Sequence, residues 1–240
     1  MSEKLIVALD VPDKEKAMDI VEELKDVVSF FKVGMELFYR EGPKLISDLK
    51  NLGLKVFLDL KLHDIPNTVG RALKNLIDLE IDMVNIHALG GKEMLRAAYL
   101  VKDEALKRKG KAPIILGVTV LTSMDQETLE QIGFKIELTQ LVAILAKETK
   151  EAGLDGVVAS AQEVSLIKKI CGPEFITVTP GIRRFEDANF DQKRVLTPKK
   201  ALELGADYLV VGRPITAASN RKLAAQKYLE EMEGVWHGSL

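Results

Sequence analysis

Short apolar segments, rich in β-branched and aliphatic residues, recur along the whole chain. Eight of them have the length of a strand: residues 5–9, 28–33, 54–58, 83–86, 114–120, 156–158, 175–178 and 208–211. Amphipathic segments with helical spacing lie between most of them, including residues 13–24, 67–79, 91–106, 138–152 and 161–170. This alternation predicts a strand–helix unit that is repeated along the chain.

The apolar character of the strands predicts a parallel sheet. Strands that are hydrophobic at nearly every position suit a sheet whose two faces are both covered by helices. Eight such units within 240 residues predict an α/β fold, the closed (β/α)₈ TIM barrel, with an open doubly wound sheet as the alternative. Since no linker or fixed-period repeat divides the chain, we expect residues 1–240 to form a single domain and residues 235–240 to form a loosely held tail.

Composition and charge exclude several classes of protein. With 47% hydrophobic residues the chain can bury a large core, which excludes intrinsic disorder. The formal net charge of −2 and the aromatic content of 5% disfavour a nucleic-acid partner. No apolar segment approaches the roughly 20 residues that span a bilayer, and Cys171 is the only cysteine. We therefore expect a cytoplasmic protein with no membrane partner and no intramolecular disulfide.

Polar residues at the ends of the predicted strands are the candidates for function. The active sites of TIM barrels lie at the carboxyl ends of the strands, in the loops that lead to the helices. Those ends carry Asp10, Lys32, Asp59 with Lys61, His87, Thr119 with Thr122, Thr179 with Arg183, and Gly212 with Arg213. Most of these residues are charged or can donate hydrogen bonds, so the sequence predicts a polar site at one end of the barrel.

The densest group of charges follows the third strand, in the segment FLDLKLHD at residues 57–64. Strand periodicity places Asp59 and Lys61 on one face, and Asp64 follows at the turn. Two carboxylates beside one ammonium favour the protonated lysine, and each acid raises the proton affinity of the other. Such a cluster is costly unless it has a chemical task, so we expect it to be catalytic.

Each of these charges also has a structural interpretation. Asp64 precedes an Ile-Pro pair and could cap the next helix. Asp59 and Lys61 could form an ion pair at the barrel rim, although buried pairs stabilise weakly. Lys32 could extend its ammonium to water, and Asp10 could cap the first helix. Alternatively, Asp10 and Lys32 could extend the charged cluster across neighbouring strands.

The loops after the seventh and eighth strands contain the elements of a phosphate site. Gly212 lets the backbone approach a ligand closely, and the guanidinium of Arg213 can bind phosphate oxygens. Arg183 lies in the loop after the seventh strand, and TIM barrels often bind phosphate at these two loops. The polar segment 184–192 follows and is long enough to close over the site as a lid.

Six segments together resemble the orotidine 5′-phosphate decarboxylase family. They are ALD at residues 8–10, FKVGMELF at 31–38, FLDLKLHDIPNT at 57–68, NIHA at 85–88, TPGIR at 179–183 and VGRP at 211–214. The resemblance runs from Leu5 to about Thr216. It implies conversion of orotidine 5′-monophosphate to uridine 5′-monophosphate and CO₂ without a metal, flavin or pyridoxal cofactor.

The resemblance also implies roles for individual residues. The implied catalytic residues are Lys61, Asp59, Asp64 and Lys32, with Lys61 held cationic by the two aspartates and protonating the ring carbanion. Asp10, Lys32 and Thr68 would bind the ribose. Asp59 would lie beside the substrate carboxylate, and Thr122 would face the pyrimidine. Arg183, Gln192, Gly212 and Arg213 would bind phosphate. No role is implied for His87, which could equally be a packed residue of the barrel rim.

Members of the family that this chain resembles are homodimers. In them the residues that match Asp64, Ile65 and Thr68 cross into the active site of the other subunit. We therefore expect the active unit to be a homodimer in which these three residues reach the partner's site.

Two other functions are compatible with parts of the sequence. The pattern of Asp59, Lys61 and Asp64 is shared with sugar-phosphate decarboxylases and aldolases of the same barrel group, which use magnesium. Magnesium prefers oxygen ligands at adjoining strand ends, but the second strand presents the cation of Lys32, which disfavours a metal. The chain could also be a noncatalytic barrel that senses nucleotides and recruits a partner, although the complete charged cluster argues against it.

Overall fold

Eight parallel strands close into a barrel in a computed structural model that describes residues 2–184 and 196–234. The strands are β1 (Leu5–Ala8), β2 (Phe30–Gly34), β3 (Lys55–Leu62), β4 (Met83–His87), β5 (Ile114–Val118), β6 (Gly156–Val158), β7 (Ile176–Thr179) and β8 (Tyr208–Val211). Each strand pairs with its neighbours in chain order, and β8 pairs with β1 through Leu5 and Leu209. This closure confirms the TIM barrel and excludes the open doubly wound sheet.

At least one helix follows every strand and covers the outside of the barrel. The helices are α1 (Lys14–Leu24), α2 (Met35–Glu41), α3 (Pro43–Asn51), α4 (Pro66–Ile77), α5 (Gly91–Lys109), α6 (Gln126–Gln131), α7 (Leu138–Glu151), α8 (Val164–Cys171), α9 (Pro198–Glu203), α10 (Arg213–Thr216) and α11 (Arg221–Glu233). Their apolar faces pack on the strands, as the helical spacing in the sequence predicts. In the described part of the chain, no helix is both long and apolar enough to cross a membrane.

Side chains inside the barrel come from alternate positions of the strands. On β1, Ile6 and Ala8 belong to the interior cluster, whereas Leu5 and Val7 pack against the surrounding helices. The interior cluster is formed by Ile6, Ala8, Phe30, Phe57, Met83, Leu116, Val178 and Val210. Side chains alternate along a strand. The residue two positions after each member of this interior cluster therefore also faces inward, at the carboxyl end of the barrel.

The third strand is longer than the sequence pattern predicts. We expected a strand over residues 54–58, but β3 continues to Leu62 and so includes both Asp59 and Lys61. The polar residues that seemed to end the strand are part of it. The expected tail, residues 235–240, and most of the expected lid, residues 184–192, lie outside the described residues.

Candidate active site

A cavity of about 410 Å³ opens at the carboxyl end of the barrel. Its floor is the apolar barrel interior, including Ala8, Phe57 and Val210. Eight of the residues that the sequence singled out line it: Asp10, Lys32, Asp59, Lys61, Thr122, Arg183, Gly212 and Arg213. The barrel therefore brings together charges from the first three strands and arginines from the last two.

Lys32 occupies an inward position on β2, two residues after Phe30, and is only 8% exposed. Its Nζ lies 2.8 Å from Asp10 Oδ1 and 3.2 Å from Asp59 Oδ2. Burial favours the neutral amine, but the carboxylates of Asp59 and Asp10 outweigh it and raise the pKa of Lys32 above its ordinary value. Lys32 is therefore a buried cation held between two carboxylates, and the interpretation that its ammonium reaches water is wrong.

Gly34 lies next to the point where these two side chains meet. A Cβ at this position would lie 3.3 Å from Asp10 Oδ1 and 3.4 Å from Lys32 Nζ. The first distance is tighter than an ordinary contact and the second is at its lower limit, so with a larger residue the Asp10 carboxylate would have to move by a few tenths of an ångström. The interpretation of Asp10 as a helix cap is also wrong, because the cap of α1 is Asp13, whose carboxylate accepts a hydrogen bond from Lys16 N.

Asp59 receives hydrogen bonds at both carboxylate oxygens. Lys61 Nζ and Asn85 Nδ2 each donate to Oδ1 over 2.7 Å, and Oδ2 faces Lys32. Burial favours the protonated acid, but the charges of Lys32 and Lys61 outweigh it and keep the pKa of Asp59 below its ordinary value. Asp59 is thus an ionised carboxylate in a fixed orientation.

The backbone of Lys61 adopts a left-handed conformation with φ of 49°. This conformation costs a residue with a side chain about 1–2 kcal/mol. The regular pairing of β3 with β4 is interrupted here, since Leu58 pairs with Val84 and Leu62 with Ile86. The irregularity lets Lys61 Nζ reach Asp59 Oδ1 within two residues of the same strand.

Asn85 is a site residue that we did not predict. It lies on β4, two residues after the inward-facing Met83, and is 0% exposed. Its Oδ1 accepts a hydrogen bond of 2.8 Å from Lys61 N, and its Nδ2 donates to Asp59. The signal in the sequence was a single polar residue within the apolar segment 83–86, at the inward-facing register.

Asp64 does not join the charged cluster within one chain. Its side chain is exposed, it forms no salt bridge with Lys61 within the described ranges, and its Oδ1 accepts a hydrogen bond from Ile65 N. Helix α4 begins at Pro66 without a side-chain cap, so the capping interpretation of Asp64 is wrong. Thr68 and Ile65 are also exposed, and neither lines the cavity. Contacts of these residues with a second subunit stay a prediction.

The predicted phosphate-binding residues lie where β7 and β8 end. Arg183 is 8% exposed, and its backbone N–H donates to Leu196 O. A Cβ on Gly212 would lie 3.6 Å from Ala8 Cβ, so this glycine sits directly on the first strand. Arg213 begins α10 and lines the same cavity. Gln192, the fourth expected phosphate ligand, lies outside the described residues.

Tyr228 supports the polar rim near Arg183 and was not predicted from the sequence. This tyrosine is fully buried on α11, and its hydroxyl accepts a hydrogen bond of 3.2 Å from Arg184 N. The contact joins the last helix to the chain that follows β7. Nothing in the sequence around Tyr228 indicated this contact.

Two of the threonines at strand ends have structural roles, whereas a third faces the cavity. The Thr119 hydroxyl donates to Val158 O, and the Thr179 hydroxyl donates to Tyr208 O. Each bond joins neighbouring strands. Thr122 lies three residues beyond Thr119, in the loop after β5, and lines the cavity. Of the three, only Thr122 is placed to contact a ligand.

His87 packs against His63 at the end of β4. The two ring centroids are 5.1 Å apart, and His87 Nδ1 is buried with no hydrogen-bond partner. Burial, His63 and Lys61 together lower the pKa of His87 below its ordinary value. Because His87 does not line the cavity, its position fits a packed residue of the barrel rim.

The cavity differs from a site built for a divalent cation. The two carboxylates that line it within the described residues, Asp10 and Asp59, already face the ammonium of Lys32. Within residues 2–184 and 196–234, no three His, Cys, Asp or Glu side chains are grouped as metal ligands. The arrangement instead offers a row of alternating charges, of which Lys32 and Asp59 are buried, next to a pair of arginines.

Comparison with known proteins gives consistent matches over nearly the whole chain. The model of the orotidine 5′-phosphate decarboxylase / HUMPS family matches residues 3–228. A curated relative from Carboxydothermus hydrogenoformans, named orotidine 5′-phosphate decarboxylase, is 93% identical over 240 residues and is covered completely, as is this chain. A relative of the same name from Bacillus cytotoxicus is 50% identical over 236 residues, which are 98% of this chain and 99% of the relative.

Solved structures also match over nearly the whole chain. The crystal structure of orotidine 5′-phosphate decarboxylase from Lactobacillus acidophilus has a TM-score of 0.85 at 40% identity, over 96% of this chain and 99% of that one. A conserved protein of Geobacillus kaustophilus, described as uncharacterized, has a TM-score of 0.84 at 41% identity, over 95% and 99% of the two chains.

Proposed function

The chain belongs to the orotidine 5′-phosphate decarboxylase / HUMPS family and acts as a carboxy-lyase of pyrimidine biosynthesis, and from this premise we propose how it works. We propose that it decarboxylates orotidine 5′-monophosphate without a metal or organic cofactor. In this proposal Lys61 delivers the proton that replaces the departing CO₂. The observation that supports it is the row of charges formed by Lys32, Asp59 and Lys61.

The reaction demands a fixed cation at the reacting carbon. When the bond to the carboxylate breaks, CO₂ leaves and the electron pair stays on an sp² ring carbon that has no adjacent electron sink. A preorganised ammonium stabilises this developing charge and then protonates the carbon as a general acid. Lys61 lines the cavity and ends in such a group. Its Nζ transfers one proton to the carbon and regains one from water before the next turnover.

Asp59 and Lys32 fix the position of Lys61 through a chain of salt bridges. Asp59 Oδ1 holds Lys61 Nζ, while Oδ2 is held by Lys32. Fixed charges in a partly dehydrated site act on the transition state without having to reorganise. The same arrangement supports independence from metals, because the ammonium of Lys32 occupies the space between the two carboxylates that would otherwise bind a cation.

Phosphate binding would take place across the barrel from Lys61. Strands β7 and β8 face β3 and β4 in the closed barrel, and they carry Arg183 and Arg213. We propose that these arginines and the backbone at Gly212 bind the phosphate, together with Gln192. Binding energy at a group remote from the reacting carbon holds the pyrimidine in place. Thr122 would face the pyrimidine, and Asp10 with Lys32 would contact the ribose.

We also propose that the active unit is a homodimer. Asp64, Ile65 and Thr68 are all exposed, and the apolar side chain of Ile65 is 66% exposed. In a dimer these residues would complete the partner's site, with Asp64 beside the Lys61 of the partner and Thr68 at its ribose. Mixing Asp64→Ala and Lys61→Ala subunits tests this. Hybrid dimers would regain one intact site, so activity that reappears on mixing supports the proposal, and no recovery in mixed dimers contradicts it.

The first experiment on the whole proposal follows the absorbance of orotidine 5′-monophosphate after addition of chelator-treated protein. We expect turnover unchanged by the chelator, with uridine 5′-monophosphate as the product. In D₂O the product should carry deuterium at the former carboxyl position. Loss of activity on chelation, with recovery on adding Mg²⁺, would contradict the cofactor-free mechanism. The cytoplasmic location expected from the sequence stays a prediction.

A further inference from the structure

Asn85 bonds to the backbone of Lys61 and to Asp59, the acceptor of the Lys61 ammonium, and it does not line the cavity. Its Oδ1 accepts from the Lys61 backbone N–H over 2.8 Å. Its Nδ2 donates over 2.7 Å to Asp59 Oδ1, the oxygen that also receives Lys61 Nζ. The side chain is fully buried, and it is not among the residues that line the cavity. One amide group therefore bonds to the backbone of the lysine and to the acceptor of its ammonium.

The backbone of Lys61 needs a partner of this kind. Its positive φ and the interrupted pairing between β3 and β4 turn the residue out of the regular sheet. The hydrogen-bond partner of its N–H is a side-chain oxygen on β4. A buried N–H without a partner is unfavourable, so the Asn85 oxygen favours the turned conformation over a regular strand.

We infer that Asn85 is a positioning residue for the reaction: it fixes the turned backbone of Lys61 and the orientation of Asp59 with one amide group. The inference rests on the proposed function of Lys61 as proton donor. An asparagine is suited to this task because it has a donor and an acceptor on one rigid plane. A residue with only one of these groups leaves either the Lys61 N–H or the Asp59 oxygen with one bond fewer.

The Asn85→Leu variant tests the inference with a side chain that has the same number of heavy atoms and the same branching but no polar atom. It removes both hydrogen bonds, so we expect kcat to fall by about 10- to 100-fold, as for a small misplacement of a catalytic group. The Kd for uridine 5′-monophosphate should stay within about threefold, because Asn85 does not line the cavity and the arginines are unchanged. Thr149→Val, which removes a buried hydrogen bond to Leu145 O on α7, is the matched control and should leave kcat unchanged.

Asn85→Asp provides a readout that loss of stability would not produce. The introduced carboxyl keeps an acceptor for Lys61 N–H but, when ionised, repels Asp59. When protonated, it can donate to Asp59 Oδ1 as the amide does. We therefore expect the kcat of this variant, relative to the parent protein, to rise as pH falls and the introduced carboxyl takes up a proton. A ratio that does not change with pH would overturn the inference.

The remaining outcomes separate this inference from the proposed function. Full activity of a folded Asn85→Leu variant, or equal losses in kcat and in affinity, would overturn the inference alone. Substantial activity of Lys61→Ala would overturn the proton-donor proposal. If neither Asn85 variant folds, hydrogen exchange of the Lys61 backbone amide in the parent protein tests the inference. Strong protection is expected, and exchange as fast as in exposed amides would overturn the inference.

Discussion

The ammonium of Lys32 lies 3.2 Å from Asp59 Oδ2, and each of these residues is only 8% exposed. Neither charge could be buried alone, because an isolated ion in the protein interior loses its hydration without compensation. Each therefore depends on the other for its ionised state. The pair has consequences for stability that do not depend on the substrate.

The first prediction concerns the pH dependence of stability. The folded protein keeps the pKa of Asp59 below its ordinary 3.8, so the stabilisation from this group is complete above that value and is lost as pH falls through the folded pKa. The pKa of Lys32 is raised above 10.5, so its stabilisation is complete below that value and is lost as pH rises through the folded pKa. Between these two pH limits, the contribution of Lys32 and Asp59 to the free energy of unfolding should be constant.

Urea unfolding of the parent protein and of Asp59→Asn over a series of pH values measures this effect. The difference in unfolding free energy between the two proteins should be level between about pH 5 and 9 and should shrink in more acidic solution. Glu174→Gln, which changes an exposed carboxylate in the loop before β7, serves as the control. A difference that stays level down to about pH 2 would show that Asp59 has no depressed pKa.

The second prediction concerns Lys61→Ala. We expect kcat to fall by about 10²- to 10⁴-fold or more, since general acid catalysis alone contributes that much. Binding of uridine 5′-monophosphate should persist because the arginines at β7 and β8 are unchanged. Steady-state kinetics and calorimetric titration measure the two effects. Lys55→Ala is a matched control on the same strand, where Lys55 pairs with Glu3, and a similar loss of kcat in this control would exclude a specific effect of Lys61.

The third prediction compares two glycines that differ in the space around them. In Gly34→Ala the added methyl group lies 3.3 Å from Asp10 Oδ1, so the salt bridge with Lys32 must shift and KM should rise. In Gly70→Ala, within helix α4, the nearest atom is a Val101 methyl carbon at 3.7 Å, an ordinary contact. Loss of glycine from a helix interior stabilises by about 0.5–1 kcal/mol. The prediction fails if Gly34→Ala has the KM of the parent protein.

The fourth prediction concerns His87. Burial, followed by the charges of His63 and Lys61, keeps the pKa of His87 below its ordinary 6.5, so this ring is neutral at pH 7. NMR titration of its ring protons should give a midpoint below 6.5. In His63→Gln the midpoint should move upward and remain below the ordinary value, because burial is the largest cause. A midpoint at or above the ordinary value in the parent protein would contradict the description of His87.

Protonation of His87 lowers the stability of the folded protein. Because the folded protein disfavours the charged ring, the unfolded chain binds the proton more readily. Stability is therefore lost as pH falls from the ordinary value of 6.5 through the lower folded value, and it is complete above that range. The loss from His87 therefore begins at a higher pH than the loss from Asp59, whose ordinary pKa is 3.8.

Much of the architecture is predictable because the pattern of apolar residues determines it. Eight apolar segments separated by amphipathic ones leave few arrangements in which every strand is covered. The prediction was wrong at the end of β3, where Asp59 and Lys61 were expected to follow the strand. Polar side chains end a strand only if they need water, and here they are inside the barrel and bond with each other.

The charged residues of the site were predictable from the sequence. Residues whose role depends on which side chains lie next to them in the folded protein were not. Asp10, Lys32, Asp59 and Lys61 stood out because charges are rare among apolar strand residues. Asn85 was missed, since one neutral polar residue in a strand is compatible with many roles. Gly34 has no side chain to attract notice, and its role appears only from the distance to Asp10 and Lys32.

Closure of the barrel distributes the site over two halves of the chain. The charged row comes from β1 to β3, whereas Thr122 and the two arginines of the cavity follow β5, β7 and β8. A nucleotide that contacts both sets bridges the halves non-covalently. Ligand that binds only the closed barrel raises its stability, by about 2.7 kcal/mol at a concentration of 100 times Kd. Substrate binding and closure of the barrel are therefore coupled, and the ligand reinforces the fold that creates its own site.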